Sequence, residues 1–142
     1  MFASVADFSS EWHRLVAQKD LEALRQVLHE NASIGAPPYW NRIEGRDLVH
    51  HLLGLVVATI DEFTYQREWE RGHELALEFT GSVNGQELQG IDLITLDAEL
   101  RLAKLDVLMR PVNAVIELRS VIAPQMAEFL VVRSQANAAS GA

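Results

Sequence analysis

The sequence predicts an α+β domain in which the helices come first and an antiparallel sheet follows. Three observations carry this. Apolar residues recur at helical spacing as far as Ile60, the period switches to two from Glu62 onward, and Asn84-Gly85 separates two such alternating runs as a hairpin turn would. A chain of 142 residues suits one domain that buries its core without disulfides or metals. We place that domain at residues 1–135 and expect the small, polar tail 136–142 to fray.

The elements follow in order. Phe8, Trp12, Leu15 and Val16 lie on one helical face, with Ser9 as the expected N-cap. Asp20 caps a second helix, Leu21 to His29, whose buried face is Leu21, Leu24, Val27 and Leu28. Asn31 to Asn41 contains Gly35, Pro37 and Pro38, and is expected to be a loop with at most a short strand. Gly45 and the pair Arg46-Asp47 open a third helix, Leu48 to Ile60, apolar around most of its circumference and therefore largely buried.

The strands then begin. Phe63, Tyr65, Arg67 and Trp69 alternate with Glu62, Thr64, Gln66 and Glu68, and Leu75, Leu77 and Phe79 alternate with Glu74, Ala76, Glu78 and Thr80. Leu88 to Leu96 and Leu100 to Met109 form the last two strands, turning near Asp97. Pro111 ends the sheet. Val112 to about Arg133 reads as a C-terminal helix interrupted near Pro124.

Composition narrows the function. The chain carries 20 acidic against 12 basic side chains, a net charge of -8, and nowhere gathers Lys and Arg into a stripe. Such a field repels nucleic acid and anionic membranes, so neither is expected as a partner. Cysteine is absent, which is compatible with the reducing cytoplasm. Met1 to Asp7 lacks the basic and apolar segments of a signal peptide, and the longest apolar run, Leu52 to Ile60, is too short to cross a bilayer.

Two aspartates stand out because they interrupt apolar strands: Asp92 in Gly90-Ile91-Asp92-Leu93-Ile94, and Asp106 in Lys104-Leu105-Asp106-Val107-Leu108. A buried carboxylate is costly unless paired, hydrogen-bonded or protonated. With a three-residue hairpin loop, Ala98 to Leu100, the two face each other on the side of Ile94, Leu96, Leu102 and Leu108, with Cβ atoms roughly 5 Å apart. One would then hold a proton near neutral pH and could serve acid–base chemistry. A two-residue loop would put them on opposite faces, and we favour the three-residue form. The structural alternatives are that Asp106 pairs with Lys104 or Arg110 and that Asp92 accepts bonds from a loop or helix end. The opposite face, Ile91, Leu93, Leu105, Val107 and Met109, is also apolar, so a second subunit is expected to cover it.

Other candidates are Trp12, Tyr39 and Trp40, large aromatics that could face one cavity or belong to its core and rim. His50-His51 diverge by about 100° on a helix and cannot chelate one metal, and His13, His29 and His73 lack an acidic partner at ligand spacing. Gly81, Gly85 and Gly90 do not form a phosphate loop.

Three stretches carry a resemblance: Trp12 to Leu24; Ile43-Glu44-Gly45-Arg46-Asp47-Leu48; and Leu88-Gln89-Gly90-Ile91-Asp92 through Asp106-Val107-Leu108-Met109-Arg110-Pro111. Their order and spacing, over residues 5 to 130, resemble the SnoaL-like branch of the nuclear transport factor 2-like superfamily. That superfamily includes ketosteroid isomerases, limonene-epoxide hydrolases, polyketide cyclases and many members without established activity. The resemblance implies a cone-shaped, curved antiparallel sheet packed on three N-terminal helices, plus a C-terminal helix. It further implies a pocket inside the cone, a dimer, and no metal or organic cofactor. It places Asp92 where the isomerases keep a protonated aspartic acid, Trp12 where they have the tyrosine of the oxyanion hole, and Ala36 near their base. Asp106 falls near the water-activating aspartate of the hydrolases, whose Arg-x-Asp is represented only by Ala76-Leu77-Glu78.

Two functions therefore remain open at the level of sequence. The first is a cofactor-independent isomerase, cyclase or hydrolase acting on a small hydrophobic ligand. Asp106 would be its base, Asp92 its acid or hydrogen-bond donor, and Glu78 or Arg110 an accessory. The second is a non-catalytic ligand-binding or association domain on the same scaffold.

Overall fold

In the computed structural model, which describes residues 2–140, the chain forms four helices and six strands, and two of the strands lie between the second and third helices instead of after all three. Helix α1 spans Val5–Gln18, α2 Leu21–Val27, α3 Arg46–Thr59 and α4 Val112–Ser140. The strands are β1 Leu28–Gly35, β2 Ile43–Glu44, β3 Asp61–Arg71, β4 Glu74–Val83, β5 Gln86–Leu96 and β6 Leu102–Arg110. They form one open sheet in the order β2-β1-β6-β5-β4-β3. The α+β class, the three N-terminal helices and the C-terminal helix stand as read from sequence. The sheet is mixed rather than antiparallel, because β1 joins β6 in parallel.

Local chemistry explains most of the helix ends. Ser4, not Ser9, caps α1, accepting from the Asp7 amide at 3.1 Å. Ser9 lies inside the helix, buried, and donates to Glu68 Oε1 at 2.6 Å. Asp20 caps α2 as its position predicts, accepting from the Ala23 amide at 3.1 Å. Helix α2 stops at Val27, because Leu28 already belongs to β1. That eight-residue strand takes the end of the expected helix and the first half of the expected loop; only Leu28, Ala32 and Ile34 are apolar in it, and the polar run His29 to Asn31 interrupts their alternation. Helix α4 runs unbroken through Pro124. The hydrogen bond that proline removes would go to the carbonyl of Ser120, on an exposed stretch of the helix.

Two further irregularities decide which side chains point inward. Asp97 pairs with Arg101 across a three-residue loop, Ala98 to Leu100, and Leu96 pairs with Leu102, as that loop requires. Beyond it, Thr95 pairs with Lys104, so Ala103 is an extra residue and the register advances by one. Asp92 thus lies opposite Val107, and Asp106 opposite Leu93. In β3 a second bulge falls between Tyr65, which pairs with Phe79, and Glu68, which pairs with Leu77. Phe63 and Tyr65 face the helices, whereas Arg67 and Trp69, expected on the same side, face away; Glu68 takes the inward place beside α1.

The core lies between the concave face of the sheet and the helices. It is built from Phe8, Leu15, Leu24, Val49 and Leu52 on the helices, with Leu77, Phe79, Ile94 and Leu105 on the sheet. Helix α4 adds Ala114, Leu118 and Ile122 to the same side. Leu105, Val107 and Met109 therefore belong to the interior, not to a second apolar face. The convex face carries Ile91, Leu93 (40% exposed) and Leu108 (58% exposed) among polar residues.

Candidate functional site

The concave side encloses a cavity of about 340 Å³ with almost wholly apolar walls. Helices α1, α2 and α3 contribute Trp12, Leu24, Leu52 and Val56; the sheet contributes Ile34, Phe63, Phe79, Val107 and Met109; α4 contributes Leu118, Ile122 and Met126. Phe63 and Phe79 stack at 4.7 Å within this wall. Gly90 is what lets the ring of Phe79 approach β5 closely. A Cβ there would collide with that ring and lie 2.6 Å from the Leu108 carbonyl.

One polar chain enters the cavity. The Trp12 indole donates to the Tyr65 hydroxyl at 2.8 Å, and that hydroxyl donates to Asp92 Oδ2 at 2.6 Å. All three side chains line the cavity. Asp92 is 6% exposed, and burial lifts its carboxyl from the ordinary value of 3.8 to about 7, although the Tyr65 hydrogen bond pulls the other way. Burial, followed by the neighbouring Asp92 charge, pushes the Tyr65 phenol well above its usual range. Near neutral pH, Asp92 is thus poised between carboxylate and acid. In its protonated form it can donate to a ligand from a wall that offers little other polarity.

Asp106 does not share this cavity. The bulge at Ala103 turns it to the convex side, where it forms an ion pair with Arg42 and lies 3.8 Å from Lys104 Nζ. Arg42 also donates to Ser33 Oγ at 3.0 Å and to the Leu105 carbonyl at 3.2 Å. The cluster fastens β1 and the segment after it to β6. The carboxylate lies over Gly35, whose hypothetical Cβ would be 2.5 Å from Asp106 Oδ1. This is the pairing alternative weighed from sequence, with Arg42 as an additional and unforeseen partner.

Glu78 and Arg110 also lie on the convex side. Glu78, only 5% exposed, pairs with Arg67 and accepts from Gln89 Nε2 at 3.1 Å; Arg110 donates to Gln89 Oε1 at 3.2 Å. The Arg67 guanidinium holds the Glu78 carboxyl below the ordinary range. Of the three aromatics, Trp12 lines the inner cavity and Tyr39 its rim, while Trp40 is 97% exposed and projects away. At the rim, the Arg119 guanidinium lies 5.6 Å from the Tyr39 ring centre, and its Nε is 3.4 Å from the hydroxyl.

Sequence reasoning left out Tyr65 and Arg119. Tyr65 was legible in principle: a tyrosine on the inward phase of a half-buried strand needs a partner for its hydroxyl, and Asp92 was one of two unexplained acceptors on the strands. Arg119 follows only from the placement of α4. Among the described residues, no group of three His, Asp or Glu side chains could hold a metal ion. Ala36 lines the cavity with a methyl group and offers no base.

No protein-family model and no curated protein sequence matches the chain. Among solved structures, a steroid delta-isomerase from Pseudomonas aeruginosa is similar with a TM-score of 0.84 and 30% identity, covering 92% of this chain and 97% of that one. An uncharacterised protein conserved in bacteria, with a cystatin-like fold, from Silicibacter pomeroyi, reaches 0.83 and 32% identity, covering 89% and 92% respectively. An NTF2-like protein of unknown function from Cytophaga hutchinsonii gives 0.66 at 17% identity, covering 80% and 96%, a likeness of fold alone.

Proposed function

This chain belongs to the SnoaL-like, nuclear transport factor 2-like superfamily, and from that premise we propose that it binds a small hydrophobic molecule inside its cone, with a polar group of the ligand held by Asp92. One observation carries the reading: a carboxyl buried in an otherwise apolar cavity, with its own pKa raised to about 7 and donors aligned on it through Tyr65. The cavity lies at the lower end of the range that encloses small organic ligands, about 300–1,000 Å³. The test is a calorimetric titration with a steroid enone for wild type and Asp92→Leu. Wild-type binding that weakens at least about ten-fold in the variant supports the reading; equal affinity in both, or none in wild type, overturns it.

A second reading, acid–base catalysis of the isomerase type, is favoured by the likeness to a steroid delta-isomerase over 97% of that chain. Here Asp92 would donate to a developing oxyanion. Proton abstraction would also need a base, and Asp106 and Glu78 face the other side of the sheet. Binding is therefore the reading that the geometry supports better. Incubation with a β,γ-unsaturated steroid ketone, monitored by the absorbance of the conjugated product, decides between them: turnover well above the buffer rate, lost in Asp92→Leu, would establish catalysis.

We also propose a homodimer through the convex face, where Ile91, Leu93 and Leu108 surround the Arg67–Glu78–Gln89 network. A nearly buried, fully paired carboxylate beside exposed leucines suits an interface that needs a fixed register.

A further inference from the structure

The cavity rim carries an electrostatic asymmetry that ligand binding through Asp92 does not use. Two charged residues border it, Asp20 and Arg119. Asp20 is compensated: Arg14 reaches it at 3.1 Å and the Ala23 amide bonds it as well. Arg119 is not. Among the described residues, no carboxylate lies within ion-pair distance of its guanidinium, and its only hydrogen bond runs from Nε to Tyr39, leaving both terminal nitrogens free. The Tyr39 ring packs against the guanidinium and directs this planar fork beside the opening.

We infer that the natural ligand is an amphipathic carboxylate: a hydrogen-bonding group reaches Asp92, an apolar body fills the cone, and a terminal carboxylate meets Arg119 at the rim. The inference rests on the proposed binding function and adds the class of ligand. The two ends differ in a way that orients such a molecule. A carboxylate driven to the inner end would face Asp92 and lose its hydration among apolar walls, whereas at the rim it keeps water and gains a guanidinium with two free donors. The chain's net charge of -8 works against anions in general, so a preference for one must come from this local group.

The experiment compares decanoate with methyl decanoate by calorimetric titration at pH 6. The apolar chain is the same; the ester replaces the carboxylate with a neutral group one methyl larger, which by itself favours the ester in an apolar cavity. Decanoate binding to wild type at least about five-fold tighter than its ester supports the inference, that ratio corresponding to roughly 1 kcal/mol for a partly exposed ion pair. In Arg119→Gln the acid-to-ester ratio should fall to about one, and in Arg119→Lys it should largely return. A merely structural role, in which Arg119 steadies Tyr39, would shift both affinities together and leave the ratio intact, overturning the inference. So would an ester that binds wild type as well as the acid does; that result would leave ligand binding itself standing. Binding of neither compound would overturn the inference alone; the steroid titration with Asp92→Leu decides separately whether ligand binding stands.

Discussion

Asp92 shows how one side chain couples stability to function. Its pKa is raised in the folded state, so the fold favours the protonated form. That contribution is fully present below about pH 4 and is lost as pH rises through about 7, at roughly 1.4 kcal/mol per pH unit between the two values. Asp92→Asn keeps the shape and removes the titration. Thermal melts should therefore show the variant more stable than wild type at pH 8 by a few kcal/mol, with the advantage shrinking towards pH 5. Paired carboxylates such as Asp47 and Glu78 have lowered pKa values and tilt stability the other way, but they do so in both proteins and cancel in the comparison. Parallel pH profiles for the two proteins would refute the buried-acid account. Tyr65 supplies the companion test. Tyr65→Phe strands the Trp12 indole without its acceptor and removes the hydrogen bond that holds the Asp92 pKa down. Denaturant unfolding should register a loss of about 1–3 kcal/mol, and carbon NMR of the Asp92 carboxyl should titrate above the wild-type midpoint.

At the scale of elements, the two bulges govern the site. Strands β5 and β6 carry apolar residues on both faces, and the sequence supports their pairing and even the three-residue loop between them. The single extra residue, Ala103, inverts everything after it and sends Asp106 out of the cavity. A bulge has no strong composition signal, and a one-residue slip looks the same from the sequence alone. The close approach of Phe79 to β5 is equally specific. Gly90→Ala should cost at least about 1–3 kcal/mol, since one obstacle is the Leu108 backbone, which cannot rotate aside. A thermal melt unchanged from wild type would show that the sheet relaxes there more easily than its geometry implies.

For the molecule as a whole, the curved sheet uses its two faces differently. The concave face buries the core and the cavity, with α4 as an added wall. The convex face exposes Leu93 and Leu108, each 40% or more, around buried Glu78. Sedimentation velocity at micromolar concentration should show a dimer for wild type. Leu108→Glu should give a monomer with unchanged far-ultraviolet circular dichroism, since it puts a charge into the proposed contact without touching the core. A wild-type monomer would refute the proposed homodimer.

Sequence by itself determined the α+β class, the three N-terminal helices and the C-terminal helix, the Asp20 cap, the turn at Asn84-Gly85 and the anomaly of two aspartates in apolar strands. These rest on local periodicity, capping chemistry and the cost of an unexplained carboxylate in an apolar strand, all readable within a few residues. Only the tertiary structure decided that β1 exists and runs parallel to β6, that Asp106 faces Arg42 rather than Asp92, and that Tyr65 and Arg119 meet the cavity at its inner wall and its rim. Each of those depends on a bulge, a slipped pairing or a contact between distant segments. An alternating pattern defines two faces of a strand, but only its neighbours in space determine which face lies inside.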